Sequence, residues 1–262
     1  MLFSWLRARR RRKLLTEPFP IRWLPFLERN VGHYSALSPI EQARLRDITR
    51  ILIAEKQWLG RSGVFVIEEM KVTIAAQAAL LLLGADHGYF RQVHEVIVFP
   101  TEFRTPVAGD DWEDDFLSDT ALAGQAVYRG PVLLAWDEVL AEGRNPDMGY
   151  NVVIHEFAHQ LDFLDGIAGG VPALGDRSLE SRWRYVMTVA FEDHRRAIKQ
   201  NDTDTLFTPH AAESETEFFA DATEAFYCRP HDLKDFNAEM YQLLAAYYRV
   251  DPAAWLNDLP AD

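Results

Sequence analysis

The stretch Asn151-Val-Val-Ile-His155-Glu156-Phe-Ala-His159-Gln-Leu-Asp162 decides the reading of the chain. On a helix, positions i and i+4 share a face one turn apart, so His155 and His159 can turn imidazole nitrogens toward a single ion. Zinc binds imidazole nitrogen at about 2.0–2.1 Å, and in catalytic sites three protein ligands usually leave one position for water. Glu156 directly follows the first histidine. Its carboxylate there can take a proton from a zinc-bound water as that water attacks a carbonyl. Val152, Val153, Ile154, Phe157, Ala158 and Leu161 make the rest of the helix apolar. Burying the polar trio among them is costly unless the groups are satisfied, and a metal satisfies them. The bland alternative is a pair of histidines hydrogen-bonded within a helix. An H-E-x-x-H spacing arises by chance in roughly one chain of this length in a hundred. A third ligand from elsewhere separates the two readings.

Glu213-Ser-Glu215-Thr-Glu217-Phe-Phe-Ala-Asp221-Ala-Thr-Glu224-Ala-Phe offers that ligand. Glu217 and Asp221 are four apart on a helix whose Phe218, Phe219, Ala220, Ala222, Ala225 and Phe226 predict burial. An E-x-x-x-D pair in such a helix resembles the pattern of gluzincins. There the glutamate is the third ligand and the aspartate receives the N–H of a ligating histidine. The alternative is a solvated acidic face capping the helix, which suits Glu213 and Glu215. Glu224 is the rival for the ligand position.

Several segments together resemble the Mlc titration factor A family. They are Asn151 to Asp162, Leu164-Asp165-Gly166, Gly130-Pro131-Val132-Leu133-Leu134-Ala135-Trp136 and Glu217-Phe-Phe-Ala. The Ala75 to Gly84 helix and the Val96-Ile-Val-Phe-Pro100 strand extend the likeness to about residues 20–255. The resemblance implies a cytosolic zinc metallopeptidase with aminopeptidase activity, whose C-terminal part is similar to the catalytic domain of anthrax lethal factor. It implies His155, His159 and Glu217 as ligands of one Zn2+, Glu156 as catalytic glutamate and Asp221 as the acidic residue behind a ligand. It also implies a second role, sequestering an Mlc-like transcriptional repressor. The chain departs from the family in two places. Where the family commonly has a tyrosine seven residues before the ligand glutamate, this chain has His210. That histidine can donate to an oxyanion, add a ligand, or be a plain surface histidine. Residues 107–123 contain no histidine, so no fourth ligand is expected from that loop.

Around the motif, strands are expected at 95–100, 125–128 and 131–136, with an acidic loop at 104–120 between the first two. Another loop is expected at 141–149. Ser38-Pro39-Ile40-Glu41 is a capping-box start for a helix over 39–57. Glu68 to Leu83 predicts a second, buried helix. Further helices are expected at 150–163, 178–200, 213–228, 231–247 and 252–257. Strands in the first half and helices in the second predict an α+β, zincin-like (gluzincin) fold. The expected organisation is a tail over 1–20, then one peptidase domain over 21–262, with an N-lobe to about 149 and a C-lobe from 150. Gly130 to Trp136 is the expected cleft-edge strand, able to pair with an extended peptide substrate.

The 262 residues have an apolar fraction of 48%, ample for a core. A net charge of −13 is a poor match for direct nucleic-acid binding. One cysteine, Cys228, leaves no intrachain disulfide and points to a reducing, cytoplasmic setting. It also disfavours a structural zinc site, which is usually cysteine-rich. The longest apolar stretch, Val72 to Gly84, is too short to cross a bilayer. Arg7, Arg9, Arg10, Arg11, Arg12 and Lys13 read as a solvated, frayed terminus. Leu2, Phe3, Trp5 and Leu6 beside them favour the alternative of contact with anionic lipid or an acidic partner.

Overall fold

Ser38 starts the first long helix as its sequence predicts: its hydroxyl accepts from the Glu41 amide (3.3 Å) and the Glu41 carboxylate accepts from the Ser38 amide (2.9 Å). In this computed structural model, which describes residues 2–101, 130–166, 169–201 and 205–255, that helix is α3, Pro39–Glu55. Two helices precede it, α1 (Leu2–Thr16) and α2 (Leu24–Asn30). Lys56 turns extended, and a short strand the sequence did not announce follows, β1 (Gln57–Gly60). Its four residues are too few to carry an alternation of their own.

The buried α4 (Glu68–Leu80) crosses from β1 to β2 (Glu95–Phe99), and β3 (Val132–Ala135) completes a sheet of order β1-β2-β3. Both pairings are parallel, with Trp58 opposite Val96 and Val96 opposite Val132. Parallel strands need crossovers, and α4 is the one between β1 and β2. The strands still gather in the first half of the chain, and the protein is mostly helical with a small sheet. Val96, Ile97 and Val98 are all buried, as a parallel strand covered on both faces requires. The expected acidic loop at 104–120 and strand at 125–128 lie outside the described residues, as does the histidine-free 107–123 segment.

Helix α5 (Trp136–Arg144) occupies ground expected partly as loop. Gly143 reads as a helix breaker in sequence, yet it serves close approach: a Cβ there would lie 2.2 Å from Gln77 Nε2. Then come α6 (Val152–Asp162), α7 (Arg177–Lys199) and α8 (Glu215–Cys228). The single helix expected at 231–247 is two, α9 (Pro230–Phe236) and α10 (Ala238–Tyr248). Asn237 between them turns extended, and its side chain accepts from the Met240 amide. The last described helix is α11, Pro252–Trp255.

The basic run, expected as a frayed tail, is helical. Helix α1 packs on α3, where Arg11 makes a two-pronged pair with Glu55 at 2.7 Å for each prong. Arg11 also covers the Tyr89 ring at 4.0 Å. Tyr89 belongs to a loop with positive φ at His87, Gly88, Tyr89 and Phe90. The buried Lys56 ammonium holds this loop by donating to the carbonyls of Tyr89, Phe90 and Val93 at 3.0, 2.6 and 3.0 Å. Phe90 then packs edge-on against Phe157 of α6, with ring centres 4.7 Å apart, which seats the motif helix in the core.

Candidate metal centre

Helix α6 begins in a network that fixes its rotation. The Asn151 side chain caps it by accepting from the Ile154 amide at 2.9 Å and donates to Gln77 Oε1 at 2.9 Å. Two carboxylates accept further amides at this end, Glu224 from Asn151 N and Glu142 from Val152 N, both at 2.6 Å. Helix α8 starts on Ser214, whose hydroxyl accepts from the Glu217 amide at 3.1 Å. Asp162 joins the two helices: one of its oxygens accepts from Thr216 Oγ1 and from the Gly169 and Gly170 amides.

With both helices so held, His155, His159 and Glu217 converge. Nε2 of His155 lies 3.1 Å from Nε2 of His159 and 3.1 Å from Oε2 of Glu217, and His159 Nε2 lies 3.3 Å from that same oxygen. On its other side, His155 Nδ1 lies 2.7 Å from Glu224 Oε1. When Nδ1–H donates there, the Nε2 lone pair faces a second imidazole nitrogen and a carboxylate oxygen. Three lone-pair atoms crowded at such distances repel without a positive charge among them, and two imidazoles with one carboxylate are a donor set suited to zinc. The residues therefore fit a metal ion. Burial lowers the His155 pKa, but the hydrogen bonds to Glu217 and Glu224 outweigh it and raise the value well above the ordinary one. Burial likewise pushes Glu217 up, yet the hydrogen bonds from His155 and His159 hold its carboxyl far below the usual range.

Glu156 is partly exposed on α6 and makes no hydrogen bond or ion pair among the described residues. His210 sits on the 3-10 turn Pro209–Ala212, with Nε2 3.2 Å from Glu217 Oε2 and Nδ1 3.0 Å from Glu213. Its side chain is 53% exposed, so it stands at the mouth of the site. Asp221 lies on the Nδ1 side of His155. Its nearer oxygen is 3.6 Å from His155 Nδ1. The other accepts from Thr208 N (2.9 Å) and Thr208 Oγ1 (2.6 Å), and Thr208 caps the turn that carries His210. The shorter contact with Nδ1 is that of Glu224, one helical turn further along the same face of α8. That Glu224 needs a partner was readable from its place among Ala222, Thr223, Ala225 and Phe226, but not that the partner is His155.

The model of the glucose-regulated metallo-peptidase M90 family matches residues 5–249. The chain belongs to this family. An uncharacterized protein of Synechocystis sp. is 30% identical over 245 residues, covering 93% of this chain and 89% of its own length. Mlc titration factor A of Yersinia enterocolitica is 29% identical, covering 87% of this chain and 85% of its own. The protein of the same name from Yersinia pestis is 27% identical, with 88% and 87% covered. A metal ion is thus expected of this M90 metallopeptidase on family grounds as well as on its donor set.

The carboxylate cluster behind the metallopeptidase site has a consequence for stability. Burial pushes the Glu142 carboxyl up to about 7; the Val152 amide opposes this and neighbouring Glu224 adds to it. A folded pKa above the ordinary value of 4.5 means the folded state binds more protons between the two. The contribution is full below about 4.5 and is lost as pH rises through about 7. Glu142→Gln keeps an acceptor for Val152 N and removes the titration. In chelator, wild type should lose about 1–2 kcal/mol relative to Glu142→Gln between pH 4.5 and 8, discounted for solvent screening. Thermal melts across that range check it; parallel curves for the two proteins would refute the assignment.

Proposed function

We propose that this metallopeptidase hydrolyses peptide bonds with one Zn2+ held by His155, His159 and Glu217 in a gluzincin arrangement. The observation that carries the reading is the convergence of those three donor atoms at 3.1–3.3 Å, with Glu156 next to the first of them. Zinc bound there would supply a Lewis acid that polarises a carbonyl and makes nearby water more acidic. Glu156, which has no hydrogen bond or ion pair among the described residues, accepts the proton of the attacking water and returns it to the leaving amine. His210, at the mouth, donates to the oxygen on which negative charge develops. Glu224 fixes the tautomer and tilt of His155, so that Nε2 keeps its lone pair toward the site. Asp221 acts through Thr208, holding the turn on which His210 rides. The described sheet ends at β3, which is available to pair with an extended substrate. The domain is read as residues 21–262, with two lobes meeting at the motif helix, in the cytoplasm.

We assign aminopeptidase specificity to the reaction. The test uses chelator-stripped protein on two substrates, an aminoacyl anilide with a free amine and the same compound N-acetylated. Activity on the free amine that returns with Zn2+, and none on the acetylated compound, is the expected result. Equal cleavage of both would end the aminopeptidase reading, and activity that survives stripping would end the zinc reading. A second function is favoured by the name of the Yersinia relatives, Mlc titration factor A. On that reading the chain also sequesters a transcriptional repressor. Capture of the repressor by His155→Ala as well as by wild type would support it, because the variant loses zinc and not the surface.

A further inference from the structure

Helix α1 carries cations that the rest of the fold does not use. Residues 1–16 hold six Lys or Arg and no Asp or Glu, while the remaining residues have 21 basic against 40 acidic side chains. One basic helix is thus attached to an acidic body. The face of α1 turned to α3 includes Arg11, Leu14 and Leu15, which are partly buried, and Arg11 is taken up by Glu55 and Tyr89. At 3.6 residues per turn, Trp5, Leu6, Arg9, Arg10, Arg12 and Lys13 fall on the opposite half. All six are exposed, Trp5 at 52% and Leu6 at 44%. The Arg9 guanidinium lies 5.6 Å from the centre of the Trp5 ring. None of Arg9, Arg10, Arg12 and Lys13 has a carboxylate partner among the described residues.

Like charges three and four apart on a helix repel, as Arg9 does Arg12 and Lys13. The helix tolerates this cost more easily where an anionic surface faces it. Charge alone would suit any polyanion, but Trp5 and Leu6 share the charged face. A nucleic acid or an acidic polypeptide gains little from Leu6. The interface of a bilayer takes both kinds of group, with cations among headgroup phosphates and Trp and Leu at the acyl boundary. No described helix is long and apolar enough to cross a membrane, so the contact is one of surface only. We propose that the outward face of α1 docks on an anionic lipid bilayer and holds the peptidase there as a peripheral protein.

The experiment is co-sedimentation of the full chain with vesicles, either of phosphatidylglycerol mixed with phosphatidylcholine or of phosphatidylcholine alone. The protein should pellet with the anionic vesicles at low salt, stay in solution with the neutral ones, and be released by high salt. Replacing Arg9, Arg10, Arg12 and Lys13 by Gln should lower partitioning roughly fivefold per charge removed. Trp5→Ala with Leu6→Ala, which keeps every charge, should lower it at least about tenfold. Both variants retain the Arg11 and Leu14 contacts, so circular dichroism and peptide hydrolysis should match wild type. Failure to pellet with anionic vesicles at low salt overturns the proposal. So does a Trp5→Ala/Leu6→Ala variant that binds vesicles like wild type, or wild type retained as strongly on immobilised polyglutamate, since docking would then be purely ionic.

Discussion

Glu156→Gln should lower peptide hydrolysis by about 10²–10⁴-fold, the range typical of a lost general base, and leave the metal content of the protein unchanged. The two halves of the result have separate physical grounds. Glutamine has nearly the size of glutamate and cannot take up a proton at neutral pH, so proton transfer from the attacking water is lost. The converging donors are untouched, because Glu156 is not among the atoms that crowd His155 Nε2. Stability should hold as well. The start of α6 rests on Asn151, Glu142 and Glu224 and not on Glu156. The fall should appear in kcat with little change in KM, since the residue acts on the reacting proton and not on the bound peptide. Turnover on a peptide substrate, with metal measured by mass spectrometry on the same sample, checks both halves. Full activity in the variant would remove Glu156 from the mechanism and turn attention to His210 at the mouth as the base.

The part of the site legible in sequence is the part set by helical geometry. His155 and His159 fall on one face because of their i, i+4 spacing, and Ser38, Asn151 and Ser214 start their helices with side chains whose chemistry suits a cap. Glu217 was legible as a carboxylate in an apolar helix that needed a partner. Whether the acceptor for His155 was Asp221 or Glu224 was not legible, because both lie on the Glu217 face of α8. Only the offset between α6 and α8 decides which of them meets Nδ1. The same limit applies to the fold. α4 announced itself by its apolar body, whereas β1 is four residues long and takes its conformation from pairing with β2. Gly143 pointed to a loop when read alone. Its reason is a contact with Gln77, 66 positions away in sequence, which no local pattern encodes.

Glu217→Ala should strip the metal from the protein at concentrations where wild type is fully loaded, and it separates two ways of placing the ion. Among the described residues, two groups of donors each lie within 4.8 Å of one another, His155 with His159 and Glu217, and His155 with Asp221 and Glu224. They use opposite nitrogens of His155. The second group is the more deeply buried, with the side chains of Asp221 and Glu224 only 5% and 8% exposed. The second oxygen of each carboxylate is also committed, that of Asp221 to Thr208 and that of Glu224 to Asn151 N. An ion there would be shut away from substrate. The first group includes Glu217, whose side chain is 23% exposed and lies 3.2 Å from the exposed His210. Loss of Glu217 leaves two of the three converging donors, too few for a catalytic zinc site. Glu224→Gln keeps an acceptor for Asn151 N and weakens only the hold on His155, so its affinity should fall by the 10–100-fold typical of an outer partner. Titration with zinc against a chelating dye should therefore rank Glu217→Ala well below Glu224→Gln, and Glu224→Gln below wild type. The reverse order would move the ion to Nδ1 of His155 and make Glu217 a hydrogen-bond partner of the histidines.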